Sequence, residues 1–122
     1  MRDQVFFTGL CVMVLGSSGA SAQNLAPPEA FATCSACHSF KADENAIGPT
    51  LFKLANRPVG SVEGFRYSGP MKRSEFKWDA AHLEQFLSNP QAIVPGNRMP
   101  YSGLEDKAQL KILVNYLLTM GQ

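Results

Sequence analysis

The sequence predicts a single all-α domain, and three observations support this prediction. The 122 residues are enough for one domain and too few for two of ordinary size. Apolar residues recur three and four positions apart near the C-terminus, and no segment alternates apolar and polar residues as a half-buried strand does. Hydrophobic residues make up 45% of the chain and charged residues 17%, a balance typical of a globular protein rather than a disordered or multi-pass membrane protein.

Residues 1–22 are predicted to be a cleaved secretory signal rather than part of this domain. A basic start precedes the mostly apolar residues 5–15, and Ala20 and Ala22 fit the small-x-small pattern of an export cleavage site. The apolar run is about half of the ~20 residues that a membrane helix needs. We therefore predict a mature domain over residues 23–122 with no stable membrane span. The alternative is an uncleaved anchor.

The mature chain begins with a short predicted helix that runs into Cys34. Pro27 and Pro28 suit the first turn of a helix, where a backbone N–H has no partner within the helix. The apolar cluster at 51–55 favours one or two further helical turns. Residues 58–74 contain three glycines and two prolines, which predict a long loop.

Two longer helices are predicted in the C-terminal half. Asp79 suits the N-cap of the first and Pro90 ends it. A second loop then covers residues 90–103. The last helix has the clearest signal, because apolar residues recur at i, i+3, i+4, i+7 and i+8 and two more, Ile112 and Tyr116, widen the stripe. The periodic residues are Leu110, Leu113, Val114, Leu117 and Leu118.

The residues with the clearest chemistry are Cys34-Ser35-Ala36-Cys37-His38. They form the C-x-x-C-H pattern of c-type haem attachment. Two thiols one helical turn apart can each add to a haem vinyl group, and the next residue places an imidazole under the iron. The pattern therefore predicts one haem c, covalently attached through Cys34 and Cys37.

Other interpretations of these cysteines fit less well. A thioredoxin-like pair expects a preceding strand, and none is predicted. A structural zinc site needs about four Cys or His ligands. Cys11 would leave with the signal, so the ligands that remain are only Cys34, Cys37, His38 and His82. A plain disulfide would leave His38 unexplained.

A haem iron that transfers electrons needs a second axial ligand, and the mature chain offers several candidates. Proline and glycine on both sides of Met99 can fix its loop, which slightly favours Met99 over Met71. Met120 lies in the last turn of the last helix. His82 could complete a bis-histidine site, but the exposed start of a helix is more typical of a solvated residue.

Taken together, these segments resemble class I c-type cytochromes, of the small mitochondrial and alphaproteobacterial type. The similarity covers nearly all of residues 29–118. The combination of a haem motif, a P-G-x-x-M loop, a tryptophan and a terminal x-Y-L helix is far more specific than the haem motif alone. The matching segments are Cys34–His38, Ile47–Leu51, Gly64–Ser68, Met71–Lys72, Trp78, Leu83–Pro90, Val94–Met99 and Leu113–Leu117.

The resemblance implies a fold and a role for each site residue. The fold would be the small class I cytochrome c fold, with helices wrapped around one covalently bound haem and long Ω-type loops. His38 and Met99 would be the axial ligands, and the carbonyl of Pro49 would accept the free N–H of His38. Three further residues match positions that hydrogen-bond the haem propionates. They are Arg57, Tyr67 and Trp78.

The sequence departs from the family pattern in three places. Phe86 stands where many members have tyrosine beside the methionine sulfur. The first helix begins with two prolines and lacks the glycine that usually packs on the last helix, which puts that contact in doubt. Several lysines that ring the exposed haem edge in mitochondrial members are absent. Near those positions stand Thr33, Gln91, Ala92 and Glu105, and of the ring Arg98 remains.

These features predict a soluble, exported, periplasmic monohaem cytochrome that shuttles single electrons between redox protein partners. We expect a monomer that is not an enzyme. The charge argues against nucleic acid as a partner, because 11 Lys and Arg against 10 Asp and Glu give a net charge of only +1. The alternatives are a permanent haem c subunit of a dehydrogenase or oxidase complex, and a haem enzyme such as a peroxidase if Met99 were labile.

Overall fold

The computed structural model describes Gly16 and residues 25–122, so the predicted signal, apart from Gly16, lies outside the described residues. Within the described part the chain forms five helices and no strand, which confirms the predicted all-α class. An isolated antiparallel bridge pairs Pro58 with Lys77. The helices are α1 (Phe31–Ser35), α2 (Gly69–Arg73), α3 (Ala80–Ser88), α4 (Pro90–Ile93) and α5 (Lys107–Met120).

Helix α1 is as short as the two prolines suggested. The turn before it is closed by hydrogen bonds from Phe31 N to Pro28 O at 2.9 Å and from Ala32 N to Glu29 O at 3.0 Å. The questioned contact with the last helix is made by aromatic rings. Phe31 stacks on Phe40 at 5.4 Å and meets Tyr116 of α5 edge-on at 5.0 Å, and such pairs add to the energy of area burial alone.

The predicted helical turns at 51–55 are wrong. The chain there forms tight turns, with Leu54 N donating to Leu51 O at 3.2 Å. Lys53 and Asn56 have positive φ angles of 51° and 59°. A right-handed helix requires negative φ, so the apolar spacing was not enough to continue one through these positions.

Both predicted loops contain a short helix that composition did not indicate. In the loop at 58–74, Ser68 caps α2 by accepting a hydrogen bond from Met71 N at 3.3 Å. In the loop at 90–103, Asn89 caps α4 by accepting from Ala92 N at 3.3 Å. A proline follows each cap within two residues, and proline is well tolerated in the first turn. Pro90 therefore ends one helix and begins another.

Helices α3 and α5 agree with the prediction and pack against each other. Asp79 caps α3 by accepting from His82 N at 2.8 Å, and Asp106 caps α5. The predicted stripe of α5 is buried up to Leu117, and Leu113 is fully buried. Ile112 is the exception, being 57% exposed. The buried side chains of these two helices form much of the core against which the site lies.

Candidate functional site

A cavity of about 300 Å³ opens between the helices and the long loops. Leucines and aromatic rings of the core line its depth, including Leu83, Phe86 and Leu117. The eight residues predicted to bind the haem all line this one cavity, although they come from widely separated segments. They are Cys34, Cys37, His38, Pro49, Arg57, Tyr67, Trp78 and Met99.

The two cysteines are brought to the cavity by the end of α1. Cys37 N and His38 N both donate to Cys34 O, at 3.1 and 3.0 Å, so the chain turns back on itself and both thiols line the cavity. Both are free thiols. Burial raises the pKa of the Cys34 thiol, which favours its protonated form in the folded chain.

The imidazole of His38 is held in one orientation by the backbone. Its Nδ1 lies 2.7 Å from the carbonyl oxygen of Pro49. Because a carbonyl can only accept, Nδ1 carries the proton and Nε2 keeps a lone pair. Burial lowers the pKa of His38, which also favours the neutral ring. This is the form in which histidine binds a metal.

Gly48 allows the ring of His38 to lie against the backbone. A Cβ atom at position 48 would lie 2.4–2.8 Å from three atoms of the imidazole. The Gly48 N–H donates to Cys37 O at 2.9 Å, which ties this loop to the end of α1. The absence of a side chain at position 48 is therefore a requirement of the site.

Arg57, Tyr67 and Trp78 surround another part of the cavity. Arg57 Nη1 donates to Phe52 O at 2.8 Å, whereas its Nε is buried and has no hydrogen-bond partner among the described residues. The Tyr67 hydroxyl accepts from Val62 N at 3.1 Å, and burial raises the pKa of Tyr67. A buried N–H without a partner is costly unless a ligand satisfies it, so this corner is suited to an acceptor group.

The charges around the cavity are of one sign. The lining contains three arginines and neither aspartate nor glutamate. Guanidinium groups form strong, charge-assisted hydrogen bonds to carboxylates. The arginines are Arg57, Arg66 and Arg98.

Of the candidate axial ligands, Met71 and Met99 both line the cavity, whereas Met120 and His82 do not. The His82 ring stacks on Phe76 at 4.8 Å, and its Nδ1 lies 2.8 Å from Asp79 Oδ1. His82 is thus a partner of the α3 cap. Hydrogen bonds from the His82 backbone and side chain lower the pKa of Asp79.

Comparisons with known proteins identify the family to which this chain belongs. No family model matches the sequence. Cytochrome c2 iso-2 of Magnetospirillum molischianum is 37% identical over 93 residues, which cover 76% of this chain and 96% of that protein. Cytochrome c2 of Blastochloris viridis is 34% identical over 119 residues, 96% of this chain and 92% of that protein. The chain belongs to the cytochrome c2 family of class I c-type cytochromes.

A solved structure supports the same assignment. Cytochrome cH from Methylobacterium extorquens matches this cytochrome with a TM-score of 0.68 at 37% sequence identity, over 72% of this chain and 89% of that one. The predicted class I cytochrome c fold is confirmed. Members of the family are electron carriers rather than enzymes, and they hold one covalently bound haem c.

The cavity of this cytochrome fits that group. The free thiols Cys34 and Cys37 are available for thioether bonds, and His38 is neutral with a free lone pair. The unpartnered Nε of Arg57 suits a propionate carboxylate. The apolar depth of the cavity suits a porphyrin.

Sequence reasoning missed several residues that contribute to the site. Arg66 and Tyr101 line the cavity, and Asn97 is buried beside Met99 with 6% exposure. Burial raises the pKa of Tyr101. The position of Asn97 directly after Gly96 and two residues before Met99 could have indicated this role, because asparagine side chains often bond to the backbone of turns.

Among the described residues, none of the helices has the length and apolar character that a membrane span requires.

Proposed function

We propose that this cytochrome is an exported, periplasmic monohaem carrier that shuttles single electrons between larger redox proteins. The observation that carries the proposal is the His38 imidazole, whose Nδ1 is fixed by Pro49 O at 2.7 Å. That bond leaves Nε2 as the only nitrogen of the ring able to bind iron. It also makes His38 a stronger donor to the metal.

In this proposal His38 and Met99 are the axial ligands, and Cys34 and Cys37 hold the haem covalently. The haem supplies an iron that changes its charge by one electron. The residues of the chain bind that group, exclude water from it and keep both ligands in place in both redox states, so that little movement accompanies transfer. A neutral thioether ligand favours the ferrous state and raises the reduction potential.

Arg57, Tyr67 and Trp78 are proposed to hold the propionates. Support comes from the unpartnered Nε of Arg57 and from the way the backbone joins two of these residues. Trp78 N donates to Arg57 O at 3.0 Å, so the indole and the guanidinium are fixed on neighbouring segments. A rigid donor set costs less entropy on binding.

Export is proposed from the first 22 residues. The alignment with the Blastochloris viridis protein covers 96% of this chain, so it extends well into that segment. A free carrier is favoured over a permanent subunit, because only three large apolar side chains of the described residues are exposed and one of them lines the cavity. They are Leu25, Ile47 and Ile112.

The test is an optical spectrum and a redox titration of the purified full chain. We expect a low-spin covalent haem, a methionine-to-ferric-iron charge-transfer band, and a reversible one-electron wave. Met99→Ala should abolish the band and lower the potential, whereas Met71→Ala should keep the band. Loss of the band in Met71→Ala instead would contradict the proposed ligand.

Electron transfer should depend only weakly on ionic strength. Segments 31–36 and 90–103, which carry Cys34 and Met99, contain one charged residue, Arg98, whose Nη2 donates to Tyr67 O at 3.2 Å. Salt mainly screens exposed charges that steer encounters. Between low salt and ~0.15 M, where the screening length is ~8 Å, the rate at a carboxylate-coated electrode should fall by less than about twofold.

A charged variant provides the control for this prediction. Thr33 and Ala92 are both exposed on these segments. The double variant with Thr33→Lys and Ala92→Lys should bind the anionic electrode and acquire a steep salt dependence. A steep dependence in the unmodified protein would count against a nearly neutral docking face.

Met99 should also stay bound to ferric iron up to unusually high pH. Replacement of the methionine by a lysine needs an amine that can lose its proton, and residues 90–103 contain no lysine. An arginine guanidinium keeps its proton in proteins and offers no lone pair, so Arg98 cannot replace the methionine. In Arg98→Lys the charge-transfer band should disappear at a pH lower by about one unit or more, which corresponds to ~1.4 kcal/mol. Equal midpoints in the two proteins would refute the prediction.

A further inference from the structure

Two amide side chains close the loop that ends at Met99. Asn97 is buried, and its Nδ2 donates to Pro90 O at 3.1 Å and to Val94 O at 2.9 Å. Its Oδ1 accepts from Met99 N at 3.0 Å. One side chain thus joins the start of α4, its end and the backbone of the proposed ligand.

Gln91 adds two hydrogen bonds to the same arrangement. Its Nε2 donates to Asn97 O at 2.9 Å, and its Oε1 accepts from Gly96 N at 3.0 Å. Gln91 itself is exposed. The two side chains, which we call the amide pair, make five hydrogen bonds to backbone groups between Pro90 and Met99.

These bonds matter because the loop has little regular structure to hold it. Only α4, four residues long, lies between Pro90 and Met99. Removing the Asn97 side chain leaves the half-buried N–H of Met99 without its partner, and the loop must then shift to give it another. The amide pair therefore holds the backbone between Pro90 and Met99 in one conformation and so fixes the position of residue 99.

We propose that Asn97 and Gln91 are positioning residues that slow the departure of the Met99 sulfur from iron. The inference rests on the proposed role of Met99 as a ligand. Asn97 fixes the backbone N–H of Met99 itself, and Gln91 fixes the orientation of the peptide groups at Gly96 and Asn97. Neither side chain needs to touch the haem for this effect.

The test measures how often the sulfur leaves. Imidazole binds ferric iron only after the sulfur has left, so the rate at saturating imidazole reports that departure. Asn97→Ala should raise the limiting rate by roughly tenfold, and Gln91→Ala, which loses more exposed bonds, by about threefold. Asn89→Ala is the matched control, because it removes an asparagine side chain that caps α4 by bonding to Ala92 N and makes no hydrogen bond to Met99. It should change the rate by less than about 1.5-fold even where it lowers stability in urea.

The outcomes separate this inference from the proposed function. If Asn97→Ala is no faster than Asn89→Ala, the amide pair does not position the ligand. If Asn97→Ala does not fold, the exposed Gln91→Ala decides the matter, and an unchanged rate there overturns the proposal. A ferric protein that lacks the charge-transfer band and binds imidazole at a rate linear in its concentration would instead remove Met99 as the ligand.

Discussion

Replacing Cys34 and Cys37 together with serine should leave a chain that is largely unfolded. Haem fills the cavity of about 300 Å³ that the core side chains line, and a chain this small has little other apolar surface to bury in its place. Domains of this kind are stable by only ~5–15 kcal/mol in total. Circular dichroism of the purified double variant should therefore show little helix and no cooperative melting.

The third cysteine provides the control for this experiment. Cys11 lies in the predicted signal, outside the described residues, and Cys11→Ser should leave the yield of haem-containing protein unchanged. Each single variant at the haem motif should retain at most one thioether bond and give a much lower yield. A well-folded, haem-free double variant would refute the claim that haem completes the core.

Gly48→Ala should damage the site through a steric clash. The new methyl group would lie 2.4–2.8 Å from three atoms of the His38 ring, so the imidazole or the loop must move. Movement of the ring breaks the 2.7 Å bond to Pro49 O, and overpacking of this kind costs about 1–3 kcal/mol. We expect a lower urea midpoint together with a changed haem spectrum and potential.

Gly69→Ala is the matched control for that variant. A Cβ atom there would approach the flexible end of the Arg73 side chain, at 2.8 Å from Nη1, and the position is the exposed start of α2. That side chain can move aside, so stability and spectrum should change little. A Gly48→Ala protein with the spectrum and stability of the unmodified protein would show that the ring is not held as the structure indicates.

The parts of the fold that sequence could predict were those with a repeated local signal. The stripe of α5 spans four turns, and its residues from Leu110 to Leu117 are buried, because burial is what that spacing reflects. At 51–55 apolar residues were also close together, but Lys53 and Asn56, the next residue beyond that range, take positive φ angles that no hydrophobic pattern encodes. Helix α2 depends on one serine cap, a signal too short to outweigh the glycines around it.

The site was predictable to the extent that its chemistry needs particular residue types at fixed spacing. The thiols, the imidazole and the carbonyl of Pro49 follow from that rule together with the family resemblance, and the structure brings them to one cavity. Asn97 was missed because its partners are backbone groups, which the sequence does not distinguish from one another. His82 was expected to be a solvated residue at the start of a helix. That prediction missed the stacking of its ring on Phe76 and its contact with Asp79.

The cavity also links the lifetime of the chain to the supply of its cofactor. A ligand that binds only the folded form shifts the folding equilibrium towards that form, and a chain that waits for haem stays open to proteases. We therefore expect the cellular abundance of this cytochrome to follow the rate of haem delivery as well as the rate of synthesis. When haem is scarce, unfilled chains should be degraded and should not accumulate as an inactive folded population that competes for redox partners.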